Sequence, residues 1–268
     1  MQMNYSSYFG TSASKAKNQA EELPAVTPGT APEAMSFSNG SRDLELLDNF
    51  KDIRSRIKAV AFDIDGTLTD SIDQIVACTH YTFDNLKIPR LDDETVKSMI
   101  GMELDEGLKK ILPGDFRHLK DQITDVYKRT YSEHAEIHQF KTFEGVEELL
   151  SAIKQSGLKI GYASGKSSLA MERTLHNTVM GSYCDAYCAG DEVPSKPHTM
   201  MMEVLASRLG VRPEEILGIG DAGMDIEMYK NAGAFSCAVQ SGVWSGEALL
   251  ALGPDLMAKR ATDLIHLF

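Results

Sequence analysis

The feature that most constrains the fold is a regular alternation of short apolar segments with amphipathic helices in the second half of the chain. Each apolar segment is too short to be a helix of its own and is rich in β-branched or small residues. Such an alternation favours a parallel sheet covered by helices on both faces. Five strands are predicted, in the segments KAVAFDI, LKIGYAS, DAYCA, EILGIGD and AFSCAVQ, and two short helices are expected to close the chain.

The segment between the first and second strands has a different pattern. Residues 72–142 contain no convincing strand, and their apolar residues recur at helical spacing. One face is predicted at Phe116, Leu119, Ile123, Val126 and Thr130, and another at Leu104, Leu108 and Ile111. We therefore predict an α/β fold: a doubly wound, Rossmann-like core of residues 42–71 and 143–268, with an all-helical cap domain of residues 72–142 inserted into it.

The first 41 residues are rich in Ser, Ala, Thr, Pro, Gly and Asn and have no apolar periodicity. Such a segment cannot bury enough surface to offset its ordering entropy, so residues 1–41 are predicted to be a flexible tail. The tail lacks the basic start and apolar block of a secretory signal. A transit peptide is disfavoured because the first arginine is Arg42 and three glutamates precede it.

Composition narrows the class of protein. With 43% hydrophobic and 25% charged residues, the 268-residue chain is typical of a soluble globular protein. Its net charge of -12 disfavours general attraction to nucleic acid or to anionic membranes. The four cysteines fit no zinc spacing and are expected to be reduced, so a cytoplasmic location is predicted. Oligomeric state is left open.

Polar residues follow the predicted strands at the points where they end. Asp63 and Asp65 end the first strand, two residues apart, where strand geometry would direct both side chains to one side. Two carboxylates so close repel each other unless a cation lies between them. Ser164 ends the second strand and Asp221 the fourth. Because ligands of doubly wound sheets bind at the carboxyl ends of the strands, these side chains are expected to converge.

Converging carboxylates are typical of a site for a hard cation. Lys196 precedes the helix that leads into the fourth strand, and Asp225 follows that strand. We predict Mg²⁺ as the cofactor, with a ligand set of Asp63, Asp65, Asp221 and Asp225.

Four ordered motifs carry a resemblance to a known family. They are DIDGTLTDS, YASGKS with Ser164, the Lys196-Pro197 pair, and GIGDAGMD, and together they resemble the motifs of haloacid dehalogenase-like hydrolases. The stretches DEVPSKPH and RPEEILGIGDAGMDIEMYKNAGA resemble the phosphoglycolate-phosphatase-like members, and the match covers residues 58–268. The helical insertion lies where that family carries its C1 cap. The resemblance implies a Mg²⁺-dependent phosphatase that hydrolyses a small phosphorylated metabolite, phosphoglycolate-like or a phosphosugar.

The resemblance also implies a role for each residue. Asp63 is the implied nucleophile, which forms an aspartyl-phosphate, and Asp65 the general acid and base, with its backbone carbonyl on the metal. Lys196 neutralises charge at the nucleophile. Asp221 binds the metal directly, and Asp225 acts through water or orients Lys196.

Phosphate binding is implied for four residues in two loops. Ser164 and Gly165 would bind the phosphoryl group at the start of a helix, and Gly66 and Thr67 would bring backbone N–H groups close to it. The loop MIGMELDEGL, with Gly101, Met102 and Glu103, is expected to face the leaving group.

Two alternatives stay open at this point. A phosphosugar mutase would share the core motifs but return the phosphoryl group to a sugar. A non-catalytic phosphate-binding regulator would keep the fold without turnover. Among substrates, 2-phosphoglycolate is the leading expectation.

Overall fold

A computed structural model describes residues 50–133 and 141–268, so the predicted tail lies outside the described residues. The sheet has six parallel strands in the order β3-β2-β1-β4-β5-β6. The strands are β1 (Ala59–Phe62), β2 (Lys159–Ala163), β3 (Ala186–Cys188), β4 (Ile216–Gly220), β5 (Phe235–Val239) and β6 (Leu256–Ala258). The helices are α1 (described over residues 50–56), α2 (Ile72–Asn85), α3 (Asp93–Lys97), α4 (Leu104–Ile111), α5 (Lys120–Glu133), α6 (Val146–Gln155), α7 (Ser168–Asn177), α8 (Met180–Tyr183), α9 (Met200–Leu209), α10 (Gly223–Asn231) and α11 (Gly246–Ala251).

The strand order confirms the doubly wound core. The chain adds β2 and β3 on one side of β1 and then returns to add β4, β5 and β6 on the other. Val60 pairs with Ile160 of β2 on one side and with Leu217 of β4 on the other. The direction of winding therefore reverses between β1 and β4, and this is where open α/β sheets bind their ligands.

Two hydrophobic clusters cover the two faces of the sheet. Along β1, Val60 and Phe62 pack into one cluster, whereas Ala59 and Ala61 pack into the other. Every residue of β1 is buried, as expected for a central parallel strand with helices on both faces. The large residues of β1 therefore face one layer of helices, and its alanines let the other layer approach closely.

The five predicted strands are confirmed, and two details differ from the sequence prediction. A sixth strand, β6, lies between the two closing helices, α11 and the 3-10 helix Ala261–Leu267. It is three residues long and lies between the turn residues Gly253-Pro254-Asp255 and the charged pair Lys259-Arg260, a setting typical of a loop. The second detail is a short helix, α8, between α7 and β3, which is separate from α7 because Thr178 adopts an extended backbone.

The insertion is helical and has its own hydrophobic core. It contains α2 to α5 and the 3-10 helix Gly114–Leu119, and no strand lies within residues 72–133. Leu108 and Ile111 of α4 are buried as predicted. The other predicted face is interrupted, because Phe116 and Leu119 lie in the 3-10 helix. Helix α5 buries Ile123, Thr124, Tyr127 and Thr130, and Val126 is only partly buried.

Two antiparallel segments connect the insertion to the core. Phe143 donates its backbone N–H to Leu68, and Asp70 donates to Lys141. An ion pair of 2.6 Å between Lys141 Nζ and Asp70 joins the same segments. The predicted domain boundaries at 71/72 and 142/143 lie beside this ribbon and stay predictions.

None of the helices in the described ranges combines the length and apolar character that a membrane span requires.

Candidate active site

Three of the predicted site residues occupy the same position relative to their strands. Asp63, Ser164 and Asp221 each follow the last residue of a strand, β1, β2 and β4 respectively. Since these strands are parallel neighbours, all three side chains lie at one edge of the sheet. This edge is the carboxyl end at the point where the winding reverses, as predicted.

Lys196 lies between two carboxylates. Its Nζ is 2.6 Å from Asp63 Oδ1 and 2.7 Å from Asp225 Oδ1, and its side chain is fully buried. Burial lowers the pKa of Lys196, but the attraction of Asp225 and Asp63 outweighs it and holds the pKa above its usual range. Lys196 is therefore a cation at neutral pH.

Asp63 is buried and partly unpartnered. Its Oδ1 accepts from Lys196, whereas Oδ2 has no hydrogen-bond partner within residues 50–133 and 141–268. Burial raises the pKa of Asp63 well above its usual value, although Lys196 acts in the opposite direction. A buried carboxylate oxygen without a partner is costly, so its presence points to a ligand that binds there.

Asp221 and Asp225 complete a group of three carboxylates. Asp221 accepts from the Thr67 hydroxyl at 2.8 Å and from the Val243 N–H at 3.2 Å. Burial, followed by the negative charge of Asp225, raises the pKa of Asp221 to about 7. One oxygen from each of Asp63, Asp221 and Asp225 lies within 4.8 Å of the others.

The donor set fits the predicted metal. Carboxylate oxygens are the ligands that Mg²⁺ prefers. A bound cation would favour the ionised form of all three carboxylates, which together with the Lys196 ammonium carry a charge of −3 + 1 = −2, and a divalent cation would balance it. The unpartnered Asp63 Oδ2 offers a further oxygen at the same place.

The carboxylate of Asp65 lies outside this group. Its Oδ1 accepts from Ser71 Oγ at 2.6 Å, and its Oδ2 is 2.8 Å from Lys166 Nζ. The expected same-side pairing with Asp63 is therefore absent, because β1 ends at Phe62 and the chain turns. The Ile64 carbonyl accepts N–H bonds from Thr67, Leu68 and Thr69 in that turn. A metal-binding role for Asp65 through its carbonyl stays a prediction.

The predicted phosphate-binding positions surround the same edge. Ser164 is buried, and its hydroxyl accepts from the Lys166 N–H at 3.3 Å. Gly66 has a φ of +83°, and a Cβ there would lie 2.7 Å from Asp221 Oδ2, so only glycine fits this turn. At Gly165 a Cβ would lie 2.4 Å from the Met102 carbonyl oxygen. The core loop at Gly165 is thus in direct contact with the insertion.

A pocket of about 120 Å³ lies between the insertion and the core. The three residues predicted to face the leaving group, Gly101, Met102 and Glu103, all line it, and so does Asp65. Glu103 also donates its backbone N–H to Ser195 Oγ at 3.1 Å, a second contact across the two parts. Most of the lining is apolar, and its further residues are Ile75, Met99, Ile100, Leu104, Tyr127, Lys128, Tyr131, Gly165, Lys166, Ser167 and Ala170.

Sequence reasoning missed several residues of the site. Lys166 stands in YASGKS, where a lysine next to a helix start is expected to be exposed. Ser71 belongs to DIDGTLTDS, but nothing in the motif showed that it would bind Asp65. Tyr127 and Tyr131 are four apart on α5, a spacing that places both on one helix face. That face turns toward the pocket, which the spacing alone could not reveal.

The sequence of this chain is similar to those of known proteins. The family model for haloacid dehalogenase-like hydrolases matches residues 60–239. Phosphoglycolate phosphatase of Salmonella choleraesuis (strain SC-B67) is 30% identical over 231 residues, which span 78% of this chain and 91% of its own length. The Escherichia coli (strain K12) phosphoglycolate phosphatase is 28% identical over 241 residues, spanning 82% of this chain and 94% of its own.

Solved structures share the fold. A haloacid dehalogenase-like family hydrolase from Streptococcus pneumoniae is 22% identical with a TM-score of 0.68, covering 79% of this chain and 98% of its own. A β-phosphoglucomutase from Clostridium difficile is 23% identical with a TM-score of 0.68, and the match covers 78% of this chain and 93% of the mutase chain. The motifs, the strand order and the family model agree, and the chain belongs to the haloacid dehalogenase-like hydrolase family.

Proposed function

We propose that this hydrolase of phosphoric monoesters depends on Mg²⁺, forms an aspartyl-phosphate on Asp63 and acts on 2-phosphoglycolate. The observation that carries the proposal is the buried Asp63, held through Oδ1 by Lys196 while Oδ2 has no hydrogen-bond partner in the described residues. Support for the substrate comes from the curated relatives, which are named phosphoglycolate phosphatase.

Asp63, Asp221 and Asp225 would hold the metal, together with the Asp65 carbonyl. Bound there, Mg²⁺ would offset negative charge and polarise a phosphoryl oxygen. Lys196 would remain paired with Asp63 Oδ1 and add a fixed positive charge beside the transferring group.

In the first step Asp63 Oδ2 attacks phosphorus, and the bond from phosphorus to the ester oxygen breaks. Asp65, in its acid form, gives its proton to that oxygen, so the alcohol leaves neutral at its hydroxyl. In the second step Asp65 takes a proton from water while the water oxygen attacks phosphorus. The acyl-phosphate bond breaks, which regenerates the Asp63 carboxylate and releases inorganic phosphate.

The phosphoryl oxygens would be bound by the Ser164 hydroxyl and by backbone N–H groups near Gly66 and at the start of α7. Ser164 and Asp63 directly follow the neighbouring strands β2 and β1, so both approach a phosphate from the same edge. The N–H groups at a helix start point outward and favour negative charge.

The test is phosphate release from 2-phosphoglycolate, measured with Mg²⁺ and with EDTA, for the wild type and for Asp63→Asn. We expect release to require the metal and to fall by at least about 10³-fold in the variant, since loss of a nucleophile removes the covalent route. Asp70→Asn is the matched control. Asp70 makes an exposed ion pair with Lys141, so its loss should change the rate less than about fivefold.

Three readouts separate the alternatives. Borohydride reduction of acid-quenched enzyme should convert a phosphorylated Asp63 to homoserine, which mass spectrometry detects at position 63. Interconversion of sugar phosphates without net release would instead establish a mutase. Binding of Mg²⁺ and phosphate with neither reaction would establish a regulator and overturn the proposed function.

A further inference from the structure

A largely buried lysine that the mechanism above does not use lies beside Asp65. The Lys166 side chain is 9% exposed, and its Nζ is 2.8 Å from Asp65 Oδ2. The same Nζ is 3.2 Å from the Tyr131 hydroxyl and 5.4 Å from the centre of the Tyr131 ring. Lys166 also lines the 120 Å³ pocket between insertion and core. A cation is therefore held at the wall of the pocket, next to the proposed general acid.

The ammonium group of Lys166 has a donor to spare. A lysine carries three N–H donors, and within the described part of the chain Asp65 and Tyr131 take two of them. Charged groups in largely apolar surroundings are costly unless each donor finds an acceptor. A ligand that brings a negatively charged oxygen into the pocket would satisfy the third donor.

The rest of the lining favours the same kind of ligand. Lys128, an exposed residue, also lines the pocket. The two acidic side chains of the lining are already engaged, Asp65 with Ser71 and Lys166, and Glu103 with the backbone N–H of Glu106 at 3.1 Å. The carboxylates of the lining therefore already have donors, whereas the Lys166 ammonium has a donor left for an anion.

The volume of the pocket favours a small ligand. A cavity of about 150 Å³ is known to hold a six-carbon aromatic ring. A pocket of about 120 Å³ therefore takes about five non-hydrogen atoms. That is the size of a two-carbon hydroxy acid, whereas a hexose has more than twice as many atoms.

We propose that the pocket takes a compact anionic leaving group and that Lys166 determines specificity by binding its carboxylate. This inference rests on the proposed function, since it concerns the alcohol released in that reaction. The competing role is that of a positioning residue. In that role Lys166 would hold Asp65 in place without contacting the leaving group, and its effect would be the same for every ester.

The experiment compares two esters of nearly equal size, 2-phosphoglycolate and its neutral amide, 2-phosphoglycolamide. For each, kcat/KM is measured with the wild type, Lys166→Met and Lys166→Arg. A hydrogen bond between charged groups corresponds to about a 10- to 150-fold preference, so the wild type should prefer the acid by about that factor. Lys166→Met should lose this preference, and Lys166→Arg should keep most of it. Lys154→Met, which removes an exposed lysine paired with Asp185, is the charge control and should keep the full preference.

The ratio of the two rates separates specificity from positioning. If Lys166→Met slows both esters by the same factor, Lys166 acts only through Asp65 and the inference is overturned. The wild type provides a second test that needs no variant: inhibition by glycolate should be at least tenfold stronger than inhibition by glycolamide. Equal inhibition would also overturn the inference. A wild type that hydrolyses neither ester would instead contradict the proposed function.

Discussion

Replacement of Gly165 by alanine should weaken catalysis much more than it weakens the fold. The added Cβ would lie 2.4 Å from the Met102 carbonyl oxygen and 2.5 Å from that of Gly101, and both neighbours are backbone atoms of the insertion. Ordinary contact begins at 3.4 Å, so the loop at Gly165 and the insertion would have to separate by 3.4 − 2.4 = 1.0 Å.

The expected loss of catalytic rate follows from the position of that separation beside the proposed site. A displacement of about 1 Å around reacting groups can reduce a rate by about 10²-fold. We therefore expect kcat/KM for 2-phosphoglycolate to fall by roughly that factor. The helical insertion can move away from the α/β domain without exposing the buried apolar clusters of either part. The free energy of unfolding should therefore fall by less than about 1 kcal/mol, which is below the usual cost of overpacking.

Kinetics, thermal unfolding and hydrogen exchange check this prediction. The Glu103 amide donates to Ser195 Oγ across the same contact, so its exchange with solvent should become faster in Gly165→Ala. Gly114→Ala is the matched control, because a Cβ at Gly114, also in the insertion, has no atom within 4 Å. A Gly165→Ala enzyme with wild-type kcat/KM and unchanged Glu103 exchange would refute the reasoning.

Two further predictions concern stability. Lys196→Met leaves Asp63 and Asp225 buried without their cation, so the free energy of unfolding without added metal should fall by about 3–5 kcal/mol in chemical denaturation. A loss below about 1 kcal/mol would mean that the pair is not buried as described. Glu215 pairs with Lys58 at 2.7 Å, and this hydrogen bond, followed by that from the Arg212 backbone N–H, lowers the pKa of Glu215 from 4.5 to about 2. A lowered pKa stabilises the fold above the unfolded value, so the advantage of wild type over Glu215→Gln should shrink as pH falls from about 5 to about 2. A difference that stays constant over this range would contradict the assigned pairing.

The sequence by itself determined the architecture and the edge of the sheet where the site lies. Alternation of strands and helices requires a parallel sheet, and parallel strands bring their carboxyl ends together. For that reason Asp63, Ser164 and Asp221 could be assigned to one site from their positions after three strands. The four motifs added Lys196, whose contacts with Asp63 and Asp225 agree with its implied place.

The tertiary structure decided which side chains meet. Strand periodicity predicted that the side chains of Asp63 and Asp65 lie on the same side. The chain turns after Phe62, however, and the Asp65 carboxylate contacts Ser71 and Lys166 instead. Strand β6 was not predicted, because its three residues lie directly between the turn residues Gly253-Pro254-Asp255 and the charged pair Lys259-Arg260. The pocket depends on how α5 of the insertion packs against the loop at Gly165, a contact between segments far apart in the chain. Local sequence sets the periodicity of each element, whereas the partner of a polar side chain depends on how those elements pack.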